Sequence, residues 1–134
     1  MKVMFDENVA PRVARALREL FPDDEVVHKR ERFGPRTDDT DWIAELGRER
    51  DWSVISGDRR ITRNKAEQAA WLATDLMGFF FEKNLHGAAP PAQAARLIRY
   101  WPTIVAQSRT VRGPAMFLLS LGGSPRVKPT GFLR

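Results

Sequence analysis

The chain has no cysteine, and its apolar residues never form a long uninterrupted run. The absence of cysteine excludes disulfide bonds and thiolate chemistry, and it fits a reducing, cytoplasmic environment. No apolar run of about 18 residues and no basic, apolar leader segment is present. We therefore expect a soluble protein that is neither secreted nor embedded in a membrane.

Acidic residues are scarce in the second part of the chain. Residues 1–58 hold 10 Lys/Arg and 14 Asp/Glu, whereas residues 59–134 hold 12 Lys/Arg and 3 Asp/Glu. Beyond Lys83 there are seven basic residues and no acid. An acidic pocket beside a basic surface suits a protein that acts on a polyanion, because the bases attract phosphates that carboxylates repel. Charge bias alone leaves open a simpler interpretation, in which these residues only form a solvated surface.

The apolar pattern predicts alternating strands and helices over most of the chain. Strands are predicted at 2–5, 25–28, 53–56, 76–81 and 115–121, and helices at 8–20, 39–50, 62–73 and 92–107. This order is typical of a three-layer α/β/α fold with a central, mostly parallel sheet. Residues 29–36 read as a charged loop and Gly87 to Pro91 as a helix breaker. We expect one domain over residues 1–121 and a flexible basic tail over residues 122–134.

Aspartates follow two of the predicted strands. Asp6 comes directly after the first strand, Asp58 closes the third, and Asp38, Asp39 and Asp41 lie between them in the chain. Because the carboxyl ends of parallel strands meet at one edge of a sheet, these acids can converge. Hard oxygen ligands of this kind suit Mg²⁺ or Mn²⁺ better than zinc. Each acid also has a structural alternative, and for Asp39 this is the N-cap of a helix.

Three motifs stand in order along the chain. Phe5-Asp6-Glu7-Asn8 follows the first strand, Asp39-Thr40-Asp41-Trp42-Ile43 opens a helix, and residues 55–64 (ISGDRRITRN) follow the third strand. Together these motifs resemble PIN-like domains, and the likeness is greatest to the small bacterial group related to VapC-type toxins of toxin–antitoxin pairs. The resemblance extends from the first strand through the helix that contains Trp101.

The resemblance implies an endoribonuclease that depends on Mg²⁺ or Mn²⁺. In such enzymes clustered acids hold the cation, which activates water for attack on an RNA phosphodiester. The resemblance places Asp6, Asp39 and Asp58 in the catalytic and metal-binding roles, with Asp41 as the competitor of Asp39. It also implies that this is the toxin of a type II pair, with a cognate antitoxin as partner, and it makes a homodimer plausible.

The sequence departs from the superfamily pattern at a fourth acidic position after the third strand. Asn64 or Glu67 is available there to complete the site through water, and Glu7 is a further alternate that we expect at the surface. The nearby basic residues are candidates for contact with RNA phosphates. They are Arg59, Arg60, Arg63 and Lys65.

The incomplete acidic set leaves two other classes open. A PIN-like module that binds RNA or regulates without cutting would bind RNA in a salt-sensitive manner that survives EDTA. A receiver-like domain or small phosphatase also places acids at strand ends, but it needs a lysine after a late strand, where this chain has Leu121-Gly122-Gly123.

Aromatic and histidine residues have mainly structural interpretations. Trp42, Trp71 and Trp101 have apolar neighbours at helical spacing and are predicted to lie in the core. Trp52 and Tyr100 would stack on a base if they were exposed. The two histidines of the chain are too isolated to form a pair of metal ligands.

Overall fold

A six-stranded sheet organises the described part of the chain. The computed structural model describes residues 1–57 and 63–130. In these ranges the strands are β1 (Lys2–Phe5), β2 (Glu25–His28), β3 (Trp52–Ser56), β4 (Met77–Phe81), β5 (Ala115–Leu119) and β6 (Lys128–Pro129), in the order β2-β1-β3-β4-β5-β6. β1 to β5 pair in parallel, and β6 pairs antiparallel with β5. The carboxyl ends of β1 to β5 therefore share one edge.

Helices cover both faces of this sheet. Those in the described residues are α1 (Pro11–Leu20), α2 (Lys29–Phe33), α3 (Asp39–Glu49), α4 (Lys65–Leu72), α5 (Lys83–His86) and α6 (Pro90–Thr110). Val3 and Phe5 of β1 pack in the cluster with α1 and α6, whereas Met4 packs in the cluster with α3 and α4. This alternation is the period-two pattern of a strand buried on both faces. The prediction of a three-layer α/β/α fold is confirmed.

The crossover connection from β4 to β5 has the opposite handedness to the crossover connections that precede it. The β3–β4 and β4–β5 connections move in the same direction across the sheet, but α4 lies on the face of α3 and α6 lies on the face of α1. Connections that move the same way on opposite faces have opposite handedness. As a result α6 lies beside α1, and Trp101 stacks on Phe21 with ring centroids 5.0 Å apart.

The core contains every tryptophan of the chain. Trp42, Trp71 and Trp101 are buried, which confirms their prediction as core residues. Trp52 and Tyr100 are also only 1% exposed, so neither presents a ring surface to a base. Trp52 packs beneath the Lys2 ammonium and the Arg32 guanidinium instead.

The first helix begins later than the prediction at Asn8. Helix α1 starts at Pro11, with Ala10 as its N-cap. The Asn8 side chain is engaged elsewhere, because its Oδ1 accepts a hydrogen bond from the Gly57 N–H at 2.7 Å and lies 3.3 Å from Ser56 Oγ. Asn8 therefore ties the end of β1 to the end of β3.

The charged segment after β2 is not the loop that its composition predicts. Helix α2 covers Lys29–Phe33, because a reciprocal cap at His28 starts it. The Arg30 N–H donates to His28 Nδ1, and Glu31 Oε1 accepts from the His28 N–H. Two backbone donors are thus satisfied at the N-terminus of a short helix. Gly34, at a φ of 77°, ends the helix.

Two other boundaries differ from the predictions. The short helix α5 precedes the breaker at Gly87, and α6 begins at Pro90 rather than Ala92 because proline is tolerated in a first turn. Part of the segment predicted as a flexible tail is held, since Arg96 donates to the carbonyls of Ser120, Gly122 and Gly123.

No helix in the described ranges is long and apolar enough to cross a membrane.

Candidate metal and catalytic site

The strand order reverses beside β1, and this reversal creates the crevice in which the candidate site lies. β1 pairs with both β2 and β3, and the connections on either side of it run over opposite faces of the sheet. In open α/β sheets with this order, ligands bind at the carboxyl ends of the first and third strands. Asp6 directly follows β1, and its N–H donates to the Ile55 carbonyl of β3 at 2.9 Å. Asp6 therefore lies at the switch point itself.

The Asp6 side chain is held rigidly in a buried position. The residue is 6% exposed. Its Oδ1 accepts from the Glu7 N–H at 2.7 Å, and its Oδ2 accepts from Ser56 Oγ at 3.1 Å. Burial raises the pKa of Asp6, and the nearby charge of Asp39 raises it further, although these two hydrogen bonds and the positive charge of Lys29 oppose the rise. A buried carboxylate with this balance gains from an added positive charge.

Asp39 is the second acid of the site. It is the first residue of α3, and its Oδ1 accepts from the indole Nε1 of Trp42 at 2.7 Å. A cavity of about 390 Å³ opens in front of it. Its lining includes Lys29, Thr37, Asp38, Asp39, Asn64 and Glu67. Asp39 lies close enough for its negative charge to act on Asp6, although 33 positions separate the two residues in the chain.

Lys29 also lies at the candidate site, a position that the sequence did not predict. Its side chain is 7% exposed, and its Nζ lies 3.9 Å from Asp39 Oδ1. In the sequence it stands in a run of charged residues, a composition typical of a solvated loop. The available signal was its position directly after a strand, at the same edge of the sheet as Asp6.

The structure places Asp39 and Asp41, the two candidates for the second acidic ligand, in different surroundings. Asp41 is exposed and lines a different cavity of about 550 Å³, together with Arg32, Glu45 and Arg48. The negative charge that raises the pKa of Asp6 comes from Asp39. The geometry therefore favours Asp39.

The remaining residues that the sequence predicts as metal ligands or RNA contacts lie in different surroundings. Glu7 forms an ion pair with Arg30 through Oε1, whereas its Oε2 is buried without a hydrogen-bond partner in the described part of the chain. Asn64 caps α4, since its Oδ1 accepts from the Glu67 N–H at 3.0 Å. Arg63 and Lys65 are exposed. Asp58, Arg59 and Arg60 lie outside the described residues.

The donor set suits a hard divalent cation. Within residues 1–57 and 63–130, no group of three or more His, Cys, Asp or Glu side chains is arranged to hold a metal. Mg²⁺ is nevertheless usually bound by one or two carboxylates, with water and substrate phosphates completing its shell. Asp6 and Asp39 would provide two such carboxylates. That Asp58, which directly follows Gly57 in the chain, is the third ligand stays a prediction.

Comparison of the sequence with known protein families identifies the family of the chain. Residues 1–83, more than half of the chain, match the family model described as PIN like domain. The chain is a member of this PIN-like domain family. It has no significant match among curated proteins or among solved structures.

Proposed function

We propose that the protein is an endoribonuclease that depends on Mg²⁺ or Mn²⁺, and that it is the toxin of a type II toxin–antitoxin pair. The observation that supports this proposal best is that Asp6, buried at the β1/β3 switch point, lies within reach of the negative charge of Asp39. PIN-like domains are generally nucleases, and carboxylates at this edge of the sheet can hold a cation against an RNA phosphate.

The side chains around the two acids would control their geometry. When bound, the cation lowers the pKa of a water molecule and neutralises negative charge on the phosphate. Asp6, Asp39 and Asp58 would hold it. The Glu7 N–H and Ser56 fix the orientation of Asp6, and the Trp42 indole fixes that of Asp39. Such fixed outer partners are what a metal site needs in order to keep its ligands in place.

The RNA backbone would approach over a basic rim. Arg63 and Lys65 are exposed on either side of Asn64, which lines the Asp39 cavity. Arg59 and Arg60, which follow Asp58 in the chain, are further candidates for this rim. Contacts of this type position the backbone and carry no sequence preference. They would compensate for the repulsion between phosphates and the acids of the site.

The proposed protein partner is an antitoxin that covers this cavity. A homodimer through the apolar residues of the late helix has less support, because Leu97, Trp101 and Ile104 of α6 are buried against the sheet. Ile98 is 38% exposed on the same helix. The antitoxin and the dimer are both proposals.

Cleavage of a labelled structured RNA such as tRNA tests the function. The purified chain should cut it with Mn²⁺ or Mg²⁺ and should not cut it in EDTA. Asp39→Asn should abolish cutting, whereas Asp41→Asn, which removes the same charge two positions away, should leave it intact. Asp58→Asn tests the third acid. If the wild type retains RNA in EDTA and never cuts it, the protein is a binding module and the nuclease proposal is wrong.

A further inference from the structure

A cavity lies at the amino edge of the sheet, where the parallel strands begin, on the side opposite to Asp6. It measures about 750 Å³ and opens between the starts of β1, β3 and β4 and the end of α6. Sites for small molecules generally have volumes of about 300–1,000 Å³. The lining of this amino-edge cavity includes Lys2, Arg50, Ser53, Asp75, Arg109 and Arg112.

The amino-edge cavity carries more basic than acidic side chains. The basic ones are Lys2, Arg50, Arg109 and Arg112, and the acidic ones are Asp51 and Asp75. Within the described ranges, the guanidinium groups of the three arginines donate no hydrogen bond and form no ion pair, and Arg109 acts only at longer range on the pKa of Asp24. Other arginines of the chain are paired with glutamates, namely Arg18, Arg30, Arg32 and Arg48. The arginines of the cavity are therefore free to bind an anion.

A buried hydroxyl group also lines this cavity. Ser53 is 1% exposed and belongs to β3, where its neighbours Trp52 and Val54 pack on the face of α3 and α4. Ser53 therefore points to the opposite face of the sheet, which α6 covers. Its hydroxyl group has no hydrogen-bond partner in residues 1–57 and 63–130. Because buried polar groups are normally hydrogen-bonded, this hydroxyl group lacks a partner that a ligand in the cavity would supply.

The backbone of Arg50 is strained. Its φ is 67° and its ψ is 158°, a conformation that glycine adopts far more readily, and Asp51 follows with a φ of 63°. The Arg50 carbonyl accepts from Lys2 Nζ at 2.7 Å, but a glycine would offer the same carbonyl. Strained backbone of this kind is concentrated at functional sites. The guanidinium group at the cavity is what the arginine adds.

The segments that carry the other arginines are fixed in place. Arg109 lies in the last turn of α6, and Arg112 lies in the short connection from α6 to β5. A side chain at Gly113 would collide with the Asp75 carbonyl oxygen, so this connection packs directly against the start of β4. Asp75 in turn accepts from the Asp51 N–H at 2.9 Å through Oδ2. A binding site whose backbone is already ordered loses less entropy when a ligand binds.

We propose that the amino-edge cavity binds the ribose 5-phosphate unit of a mononucleotide. Arg50, Arg109 and Arg112 pair with the phosphate, because the planar guanidinium group matches phosphate oxygens. The exposed carboxylate of Asp51 accepts from the ribose hydroxyl groups, as acids do in dinucleotide sites. Ser53 bonds to the buried end of the ligand. This site is separate from the carboxyl edge, so its failure would leave the proposed function standing.

Isothermal titration of the full chain with 5′-AMP tests the proposal. The titration is made in EDTA, so that no divalent cation holds the nucleotide at the carboxyl edge. The wild type should bind one AMP with a Kd of about 1 mM or lower. Ribose 5-phosphate should also bind, whereas adenosine, which lacks the phosphate, should not. Tighter binding of AMP than of ribose 5-phosphate would identify a nucleotide as the ligand, and equal binding would identify a sugar phosphate.

Substitutions on α6 locate the site. Arg109→Gln and Arg112→Gln should each weaken AMP binding by about 10-fold, since each removes a charged hydrogen bond. Arg99→Gln is the matched control, because Arg99 is an exposed arginine of the same helix outside the cavity. Lys65→Gln serves the same purpose at the carboxyl edge. Both controls should bind AMP like the wild type, and an equal loss in all four variants would reduce the effect to net charge and overturn the proposal.

Arg50→Gly separates binding from folding. It removes a guanidinium group and relieves the backbone strain, so it should be more stable than the wild type and still bind AMP about 10-fold more weakly. Wild-type affinity in Arg50→Gly, Arg109→Gln and Arg112→Gln would overturn the proposal. The same holds if neither AMP nor ribose 5-phosphate binds, or if adenosine or inorganic phosphate binds as tightly as both. If an α6 variant does not fold, as judged by circular dichroism, Arg50→Gly still decides.

Discussion

Two aspartates at opposite ends of the sheet have opposite environments. Asp24 precedes β2 at the amino edge, where its Oδ1 accepts from the N-terminal ammonium group at 2.9 Å and its Oδ2 from Trp101 Nε1 at 2.8 Å. Burial raises the pKa of Asp24, but these two hydrogen bonds, together with the positive charges of the N-terminus and Arg109, more than offset the effect and lower it. At the carboxyl edge, burial dominates and raises the pKa of Asp6.

The difference separates a charge that the fold stabilises from one that it does not. The protein itself stabilises the negative charge of Asp24, so this carboxylate needs nothing further. The negative charge of Asp6 is poorly stabilised by the protein, so it gains from a cation. The size of a cavity does not show which edge of the sheet holds the candidate site. The cavity at the amino edge, about 750 Å³, is larger than the Asp39 cavity, about 390 Å³. The following variants compare the two edges directly.

The largest effect is expected from the two aspartates themselves. Asp6→Asn should lower the rate of RNA cleavage by at least about 100-fold, because even the outer partners of metal ligands contribute 10- to 100-fold. Asp24→Asn should leave the rate per folded molecule unchanged. Single-turnover cleavage at saturating Mn²⁺ provides the measurement. A comparable loss of rate in both variants would remove the distinction between the edges.

A matched pair of tryptophans provides the next comparison. Trp42 Nε1 donates to Asp39 three residues earlier, and Trp52 Nε1 donates to Glu49 in the same way at 2.9 Å. Trp42→Phe should weaken Mn²⁺ binding by roughly 10-fold, because Asp39 loses the bond that orients it. Trp52→Phe should not alter the affinity. Isothermal titration gives both values, and equal affinities in the two variants would contradict the role of the indole.

Stability should depend on pH in opposite ways at the two edges. The lowered pKa of Asp24 gives stability that is present above the ordinary pKa of 3.8 and is lost as the pH falls through the lowered pKa. The raised pKa of Asp6 gives stability that is present below 3.8 and is lost as the pH rises through the raised pKa.

Urea unfolding in EDTA at a series of pH values measures both effects. At pH 7, Asp24→Asn should be less stable than the wild type by about 1–2 kcal/mol, and Asp6→Asn should be more stable by about 1 kcal/mol. Both differences should shrink in acid. Shifts of the same sign at pH 7 would show that the two carboxylates do not differ as described.

The last comparison concerns backbone strain at the amino edge, whose relief should change stability but not cleavage. Arg50 has a φ of 67° and a ψ of 158°, a conformation that glycine adopts far more readily. Arg50→Gly should stabilise the protein by about 1 kcal/mol and leave cleavage unchanged, since the carbonyl that accepts from Lys2 Nζ is retained. A loss of cleavage would mean that the amino edge takes part in function.

The parts of the site that the sequence predicts are those that depend on strand direction. β1 and the position of Asp6 after it follow from a short apolar run and the parallel topology that the alternating elements imply. Asp39 is the first residue of the helix that the sequence places there. Such features are local, or they follow from one topological rule. A single amino-acid sequence is therefore enough to predict them.

The parts that were missed depend on contacts between distant segments. Lys29 is buried 3.9 Å from Asp39 and its charge acts on Asp6, yet nothing adjacent to it in the chain indicates this. Asn8 is a favourable N-cap residue by type, yet it bonds to Gly57, 49 positions later. Likewise, the tail segment is held by Arg96 from α6. In each case a tertiary contact overrides a correct local preference.

Gly57 has a consequence for the tolerance of the chain to mutation. A β-carbon at this position would lie 2.9 Å from the Asn8 carbonyl oxygen and 3.0 Å from His86 Nδ1, so no larger side chain fits without displacing the neighbouring segments. The residue has no side chain with which to take part in chemistry, yet it directly precedes Asp58. A library of single substitutions should therefore be depleted at Gly57 as strongly as at the acids, for reasons of space alone.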